Sequence, residues 1–194
     1  IFDGTVNANT SGTEGHTLAA GTGDIIFNAM VGAATPLGAI TISNANLVDW
    51  NAAVTTNAGN IGITASSFDN TGATITSNNG DVTIRCIDDI TLAAAIDVGT
   101  GTLDIWAADD GSGTLTLGGG LSLVSDALVF RAGNGSGPAT TASIDLLTAN
   151  PTFLGLGGVG TSPTSFTLRQ DAAVVDATVP VTGQFGGGIN NVNY

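Results

Sequence analysis

The chain has 194 residues, 29 of them glycine, and sets three arginines and no lysine against 16 acidic groups, for a net charge of −13. That balance argues against nucleic-acid phosphates and anionic membranes as partners, because both would be repelled. A mean hydropathy of +0.34 with only 10% charged residues excludes charge-rich disorder, and no apolar run approaches the roughly 18 residues of a membrane-spanning helix.

Thr, Val and Ile are plentiful, helix-favouring Glu, Lys, Gln and Arg are scarce, and Gly and Asn separate short apolar alternations. This pattern predicts an all-β fold. The chain begins at Ile1, with neither an initiator methionine nor a signal peptide, and is expected to be a mature product or an excised piece. The first element along it, "TSGTEGHTLAAG", holds the single histidine, His16, two residues after Glu14. It reads as a turn with an exposed loop histidine, since no partner for a catalytic triad or a metal site stands near it.

A short phrase follows. Gly23-Asp24-Ile25-Ile26-Phe27 is its first version, and Gly38-Ala39-Ile40-Thr41-Ile42 its second. It then recurs every 21 residues as Gly59-Asn60-Ile61-Gly62-Ile63, Gly80-Asp81-Val82-Thr83-Ile84 and Gly101-Thr102-Leu103-Asp104-Ile105. Within each phrase apolar residues alternate, as in a strand with one buried face. Further columns keep the step: Val54, Ile75, Ile96 and Leu117; Ala52, Ala73, Ala94 and Leu115; Leu47 with Phe68. The period is too short for a propeller blade and lacks a leucine-rich-repeat pattern. It predicts a parallel β-helix, or β-solenoid, with coils of about 21 residues stacked about 4.8 Å apart, roughly nine coils if the whole chain follows it. The glycine before each strand is expected to take a positive φ at a corner, and Asn57 over Asn78 to form an amide ladder.

Residues 38–117 are the most regular. Leu128-Val129-Phe130 arrives 25 residues after Leu103-Asp104-Ile105, and Gly118-Gly119-Gly120 is the expected place for the extra residues. Residues 118–194 read as looser coils with protruding loops at 133–138 and 155–163. Phe166-Thr167-Leu168 resumes the alternation, and 174–181 with Phe185 adds strand-like material. With no linker in sight, residues 1–194 are expected to form one solenoid domain.

"TNAGNIGITA", "SNNGDVTIRC" and "FNAMVGAATPLGAITISNA" resemble coils of the filamentous-haemagglutinin-type bacterial surface proteins. The resemblance implies a right-handed parallel β-helix, export to the cell surface or medium, and a role in adhesion or in building extracellular material. The family's secretion-directing amino-terminal module is not recognisable here, so the resemblance is to an internal or passenger segment.

No residue set suggests catalysis, and the chain is expected not to be an enzyme. Asp81, Asp104 and Asp126 are the acids a pectin-cleaving β-helix would need, but basic neighbours are few. Asp88-Asp89 and Asp109-Asp110 stand 21 residues apart, and four carboxylates in one register are a weak calcium candidate beside the simpler reading of a solvated acidic turn. No other cofactor is implied. Cys86, the only cysteine, follows an inward pair and reads as a small buried core residue. Asn9-Thr10-Ser11 and Asn134-Gly135-Ser136 match the N-glycosylation sequon.

One outward column runs Asn28, Ser43, Thr64, Arg85, Trp106, Arg131 and Arg169. It holds all three arginines and places Trp106 between two of them, within cation–π reach. Arg85, Trp106 and Arg131 form the candidate interaction patch, for surface glycans or another subunit, beside the simpler reading of a ladder that steadies the coil. Because neither terminus looks like a capping helix, the open coil ends predict continuation into further coils of the same polypeptide or head-to-tail association with itself. The leading expectation is a structural or adhesive extracellular solenoid; the alternative is a carbohydrate-binding or carbohydrate-cleaving β-helix.

Overall fold

The computed structural model describes residues 1–110, 112–118 and 121–133, and beyond them the backbone of strands at 143–145, 152–154, 165–170 and 192–193. It is a three-sided parallel β-solenoid with no helix among the described residues. Sheet 1 stacks β1 (His16–Ala19), β3 (Ile40–Asn44), β6 (Ile61–Ala65), β9 (Val82–Cys86), β12 (Thr102–Ala107), β15 (Ala127–Ala132), β18 (Ser165–Gln170) and β19 (Val192–Asn193). Sheet 2 stacks β2 (Ile25–Phe27), β4 (Leu47–Trp50), β7 (Ser67–Asp69), β10 (Ile90–Leu92), β13 (Thr114–Leu117) and β16 (Ser143–Asp145). Sheet 3 stacks β5 (Val54–Thr55), β8 (Ile75–Thr76), β11 (Ile96–Asp97), β14 (Ser122–Val124) and β17 (Thr152–Leu154). Among the described residues about five turns, spaced about 22 residues apart, carry a strand on every side.

The phrases from Ile40 to Ile105 stack as expected: Ile40 on Ile61 on Val82 on Leu103, and Ile42 on Ile63 on Ile84 on Ile105. All eight are at most 1% exposed. Each such burial is worth about 1.5–3 kcal/mol, and repeated columns let one layer's side chains form the floor for the next. Sheet 2 adds an aromatic column in which Phe2 stacks on Phe27 at 4.5 Å between ring centres, and Trp50 meets Phe27 and Phe68 edge-on at 6.3 and 5.4 Å.

Several column assignments change. Gly23–Phe27 is not the first copy of the sheet 1 phrase; its Ile25 and Phe27 pair with Val48 and Trp50 in sheet 2. The strand below Ile40 in sheet 1 is β1, with His16 opposite Ile40 and Leu18 opposite Ile42. Alternation is the same on every side of the coil, so a two-residue period cannot say which side a strand occupies. Within sheet 2, Phe68 stacks on Val48, the buried residue of the pair, rather than on Leu47. Leu115 and Leu117 pair with Ile90 and Leu92, while Ile96 pairs with Leu123. The added residues therefore enter mainly in the turn between Ala107 and Thr114, ahead of the Gly118-Gly119-Gly120 run. Beyond Ala132 the register returns, with β15 pairing β18 from Ala127–Ser165 to Ala132–Gln170. The expected loops at 134–138 and 155–163 and the 174–185 material lie outside the described residues.

The corners before sheet 1 work differently from expectation. Positive φ falls at Ala58, Asn78, Asn79 and Gly99, one or two residues ahead of the repeated glycines and not at them. Gly38, Gly59, Gly80 and Gly101 are instead demanded by close approach. A Cβ on Gly38 would lie 2.8 Å from the Gly12 carbonyl oxygen and one on Gly101 2.5 Å from that of Gly80, and Cβ atoms on Gly59 and Gly80 would come closer still to the coil before. Asn57 and Asn78 form no ladder: Asn57 donates to Ser11 Oγ at 3.2 Å, and Asn78 to the Thr56 carbonyl at 2.6 Å. The ladder that exists uses acceptors one coil apart, with Asn60 Oδ1 taking the Asp81 N–H at 3.0 Å and Asp81 Oδ1 the Thr102 N–H at 2.8 Å. Inside the corner the buried Thr56 hydroxyl donates to the Gly59 carbonyl at 2.6 Å, and Ser77 repeats this with Gly80. Asn70, fully buried, closes another corner by donating to the Ala73 and Ala94 carbonyls and accepting from Ala93 N–H.

These two kinds of corner position make opposite predictions. Gly59→Ala is expected to cost more than about 3 kcal/mol in urea unfolding, as backbone would have to move. Ala58→Gly, which relieves a left-handed alanine, is expected to stabilise by about 0.5–1 kcal/mol. Equal, small effects at both positions would contradict the corner geometry.

Candidate functional site

The backbone of β18 pairs Arg169 with Arg131, and on the outer face of sheet 1 successive strands place Thr64, Arg85, Trp106 and Arg131 at that same register position. Strand pairing at about 4.8 Å brings each side chain over the next. The Arg85 guanidinium carbon lies 4.3 Å from the Trp106 ring centre and that of Arg131 5.1 Å. Since β9 and β15 flank β12, the two cations approach the indole from opposite sides, and both its faces are taken. The ring is pinned by its Nε1–H, which donates to the Gly133 carbonyl at 2.6 Å.

Acids complete the row. Arg85 contacts Asp109 Oδ2 through Nη2 at 2.6 Å and Nε at 2.8 Å, so the long turn after β12 reaches back one coil. Arg131 Nη2 contacts Asp104 Oδ2 at 2.9 Å. At this exposure each pair is worth about 0–1 kcal/mol. Asp104 Oδ1 is buried without a hydrogen-bond partner; burial raises its carboxyl above the ordinary carboxylate range, against the opposing pull of Arg131. Asn28 does not belong to this row, because it sits at the end of sheet 2 and donates to Asp3 at 2.8 Å.

Three of the four calcium candidates have separate side-chain partners. Asp109 holds Arg85, Asp89 accepts the Thr114 N–H at 2.8 Å, and Asp110 accepts from Ser112 N–H and Oγ. Asp88 contributes its main-chain carbonyl to Ala108 N–H at 2.8 Å. No three His, Cys, Asp or Glu side chains converge as metal ligands among the described residues. Cys86 is fully buried. Burial, reinforced by the charge of Asp88, pushes its thiol up to about 12, so it stays protonated at neutral pH.

The open coil end expected from the sequence is formed, at the start of the described solenoid, by residues that sequence reasoning did not single out. Among the described residues, Phe2 bridges only to Phe27, Val6 only to Val31, and β1 pairs only with β3. These segments hang on the next coil through Phe2 N–H to Ile26 O at 2.7 Å, Val6 N–H to Met30 O at 3.1 Å and His16 N–H to Ala39 O at 2.8 Å. Their inward residues Phe2, Val6 and Leu18 stand in the core columns yet are only partly buried. Among the described residues the face is therefore a cross-section of the core with one unpaired strand edge, that of β1, beside the single bridge residues Phe2 and Val6. His16 is part of it: it lies on a strand and not in a loop, half-buried, with its ring edge-on to Phe2 at 5.9 Å.

The fold and these surfaces define a β-solenoid repeat protein. Compared with protein-family models, curated proteins and solved structures, the chain matches none.

Asp104 sets a pH signature on the outer row. Because its folded carboxyl sits above the unfolded value near 3.8, the folded state binds the proton more tightly, and the residue's contribution to stability falls as pH rises through that window. Asp104→Asn removes the effect and still offers Arg131 an oxygen. Its stability relative to wild type is expected to improve from pH 4 to pH 7 in urea titrations; a constant or worsening difference would contradict the buried-carboxylate geometry.

Proposed function

We propose that the protein is a structural, non-enzymatic segment of an extracellular or bacterial-surface solenoid, of the kind the filamentous-haemagglutinin-type resemblance implies, and that it extends by stacking coil on coil. The observation that carries this reading is the open face at Phe2, Val6 and β1, where core columns end half-covered. Unpaired strand edges demand hydrogen-bond partners, and a half-buried apolar layer gains from being covered. The occupant is a second copy, arriving head to tail. Every described ladder is parallel. A copy displaced along the axis thus adds its strands to this face in the same sense, a heterologous contact that forms filaments.

Sedimentation velocity across a concentration series is expected to show progressive association. Thr17→Pro should abolish it without a change of fold. By the alternation of the parallel ladder the Thr17 N–H points to the open edge, so proline removes nothing that β3 uses. A wild-type protein that stays monomeric at every concentration would overturn the second copy as occupant and leave further coils of the same polypeptide in its place.

A second reading, glycan binding, is favoured by one observation: all the cations of this acidic chain share the Trp106 row. With both ring faces covered by guanidinium, a sugar would meet the indole edge and arginine N–H groups rather than stack on the ring. On a glycan array, binding by wild type that is lost in Trp106→Ala with the fold intact would support it; no binding by wild type would dismiss it.

A further inference from the structure

The first inward position of sheet 1 is aliphatic in coil after coil: Ile40, Ile61, Val82, Leu103 and Leu128. In the coil that forms the open face, the same position holds His16, the only histidine of the chain. Its Nε2 is buried without a hydrogen-bond partner, beside Phe2 and over Ile40. A position that elsewhere takes only apolar side chains has thus received the one residue type whose charge changes between about pH 5 and 8.

We propose that His16 makes the stacking face pH-sensitive: a neutral imidazole can be covered by the incoming coil of a second copy, and an imidazolium opposes that coil. This inference rests on the coil-stacking reading above. The physical reason is desolvation. Covering the face removes the remaining water from the ring, and an unpaired charge there costs several kcal/mol more than a neutral ring.

Nothing packed against His16 offers a counter-charge. From β3 and the residue before it come Ala39, Ile40 and Thr41, none of them titratable. The Phe2 segment brings Asp3, whose carboxylate accepts from Asn28 Nδ2. In the approach to β1, Glu14 accepts from Thr10 N–H and Thr13 Oγ1, which holds its carboxyl below the ordinary range. Neither acid forms an ion pair with the imidazole.

Net charge works in the opposite direction. Between pH 8 and pH 5.5 the chain moves towards its pI of about 4.1, so repulsion between copies weakens and association should grow. Loss of association on acidification therefore needs a group that becomes cationic at the contact.

The test is sedimentation velocity at about 0.15 M salt, where long-range repulsion is screened, on wild type and His16→Leu at pH 8 and 5.5, with circular dichroism to confirm the fold. Leucine restores the aliphatic column. Wild type is expected to associate at pH 8 and about tenfold or more weakly at pH 5.5, since each unit of proton linkage is worth a factor of ten. His16→Leu is expected to associate at both. If both proteins associate with the same pH dependence, the role of His16 is overturned while stacking stands. If His16→Leu associates at neither pH, the stacking reading falls and the gating falls with it.

Discussion

Main-chain hydrogen bonding between one coil and the next is the constraint on which the rest of this structure depends. Parallel pairing holds successive strands about 4.8 Å apart, and on each side of the coil that distance is imposed on every residue. An inward side chain must then match the ones above and below it, which is why Ile40, Ile61, Val82 and Leu103 form one column. It also explains the corner glycines, since at 4.8 Å the Gly59 corner has no room for a methyl group against the Gly38 carbonyl. The same spacing brings Arg85 and Arg131 onto the two faces of Trp106.

That constraint does not require equal coils. Residues can be added wherever the chain leaves a sheet, provided it returns in register, and the turn between Ala107 and Thr114 does so. Its added length carries Asp109 back to Arg85. The structure thus separates a repetitive interior, where small changes propagate from coil to coil, from corners that can vary and reach across. It also leaves a problem at any open face, where the core is exposed in section. The partly buried Phe2, Val6 and Leu18, with His16 among them, are what such a section looks like.

Much of the fold was legible because the four phrases from Gly38 to Ile105 share a strict step and a two-residue alternation. Two independent periods leave few architectures. The outer row was legible for the same reason, as Arg85, Trp106 and Arg131 follow the same inward pairs. What misled was a look-alike of the phrase upstream of the regular coils. Gly23–Phe27 imitates the phrase but lies in sheet 2, and taking it as the first copy concealed β1 and made His16 a loop residue. The corner glycines were correctly singled out for the wrong reason, since a glycine needed for close approach and one needed for positive φ look alike in one dimension.

The sequence by itself determined that this is a parallel solenoid, which residues point inward in its regular coils, and that its cations share one outward column. Those follow from local alternation and a repeat step, both readable along the chain. Only the tertiary structure decided which side of the coil each strand occupies, where added residues enter, that three of the four candidate carboxylates take separate partners, and that His16 stands in a core column at an open face. Each depends on the lengths of turns whose residues carry no periodic signal, because a corner is held by main-chain contacts to the neighbouring coil and leaves most of its side chains free to vary.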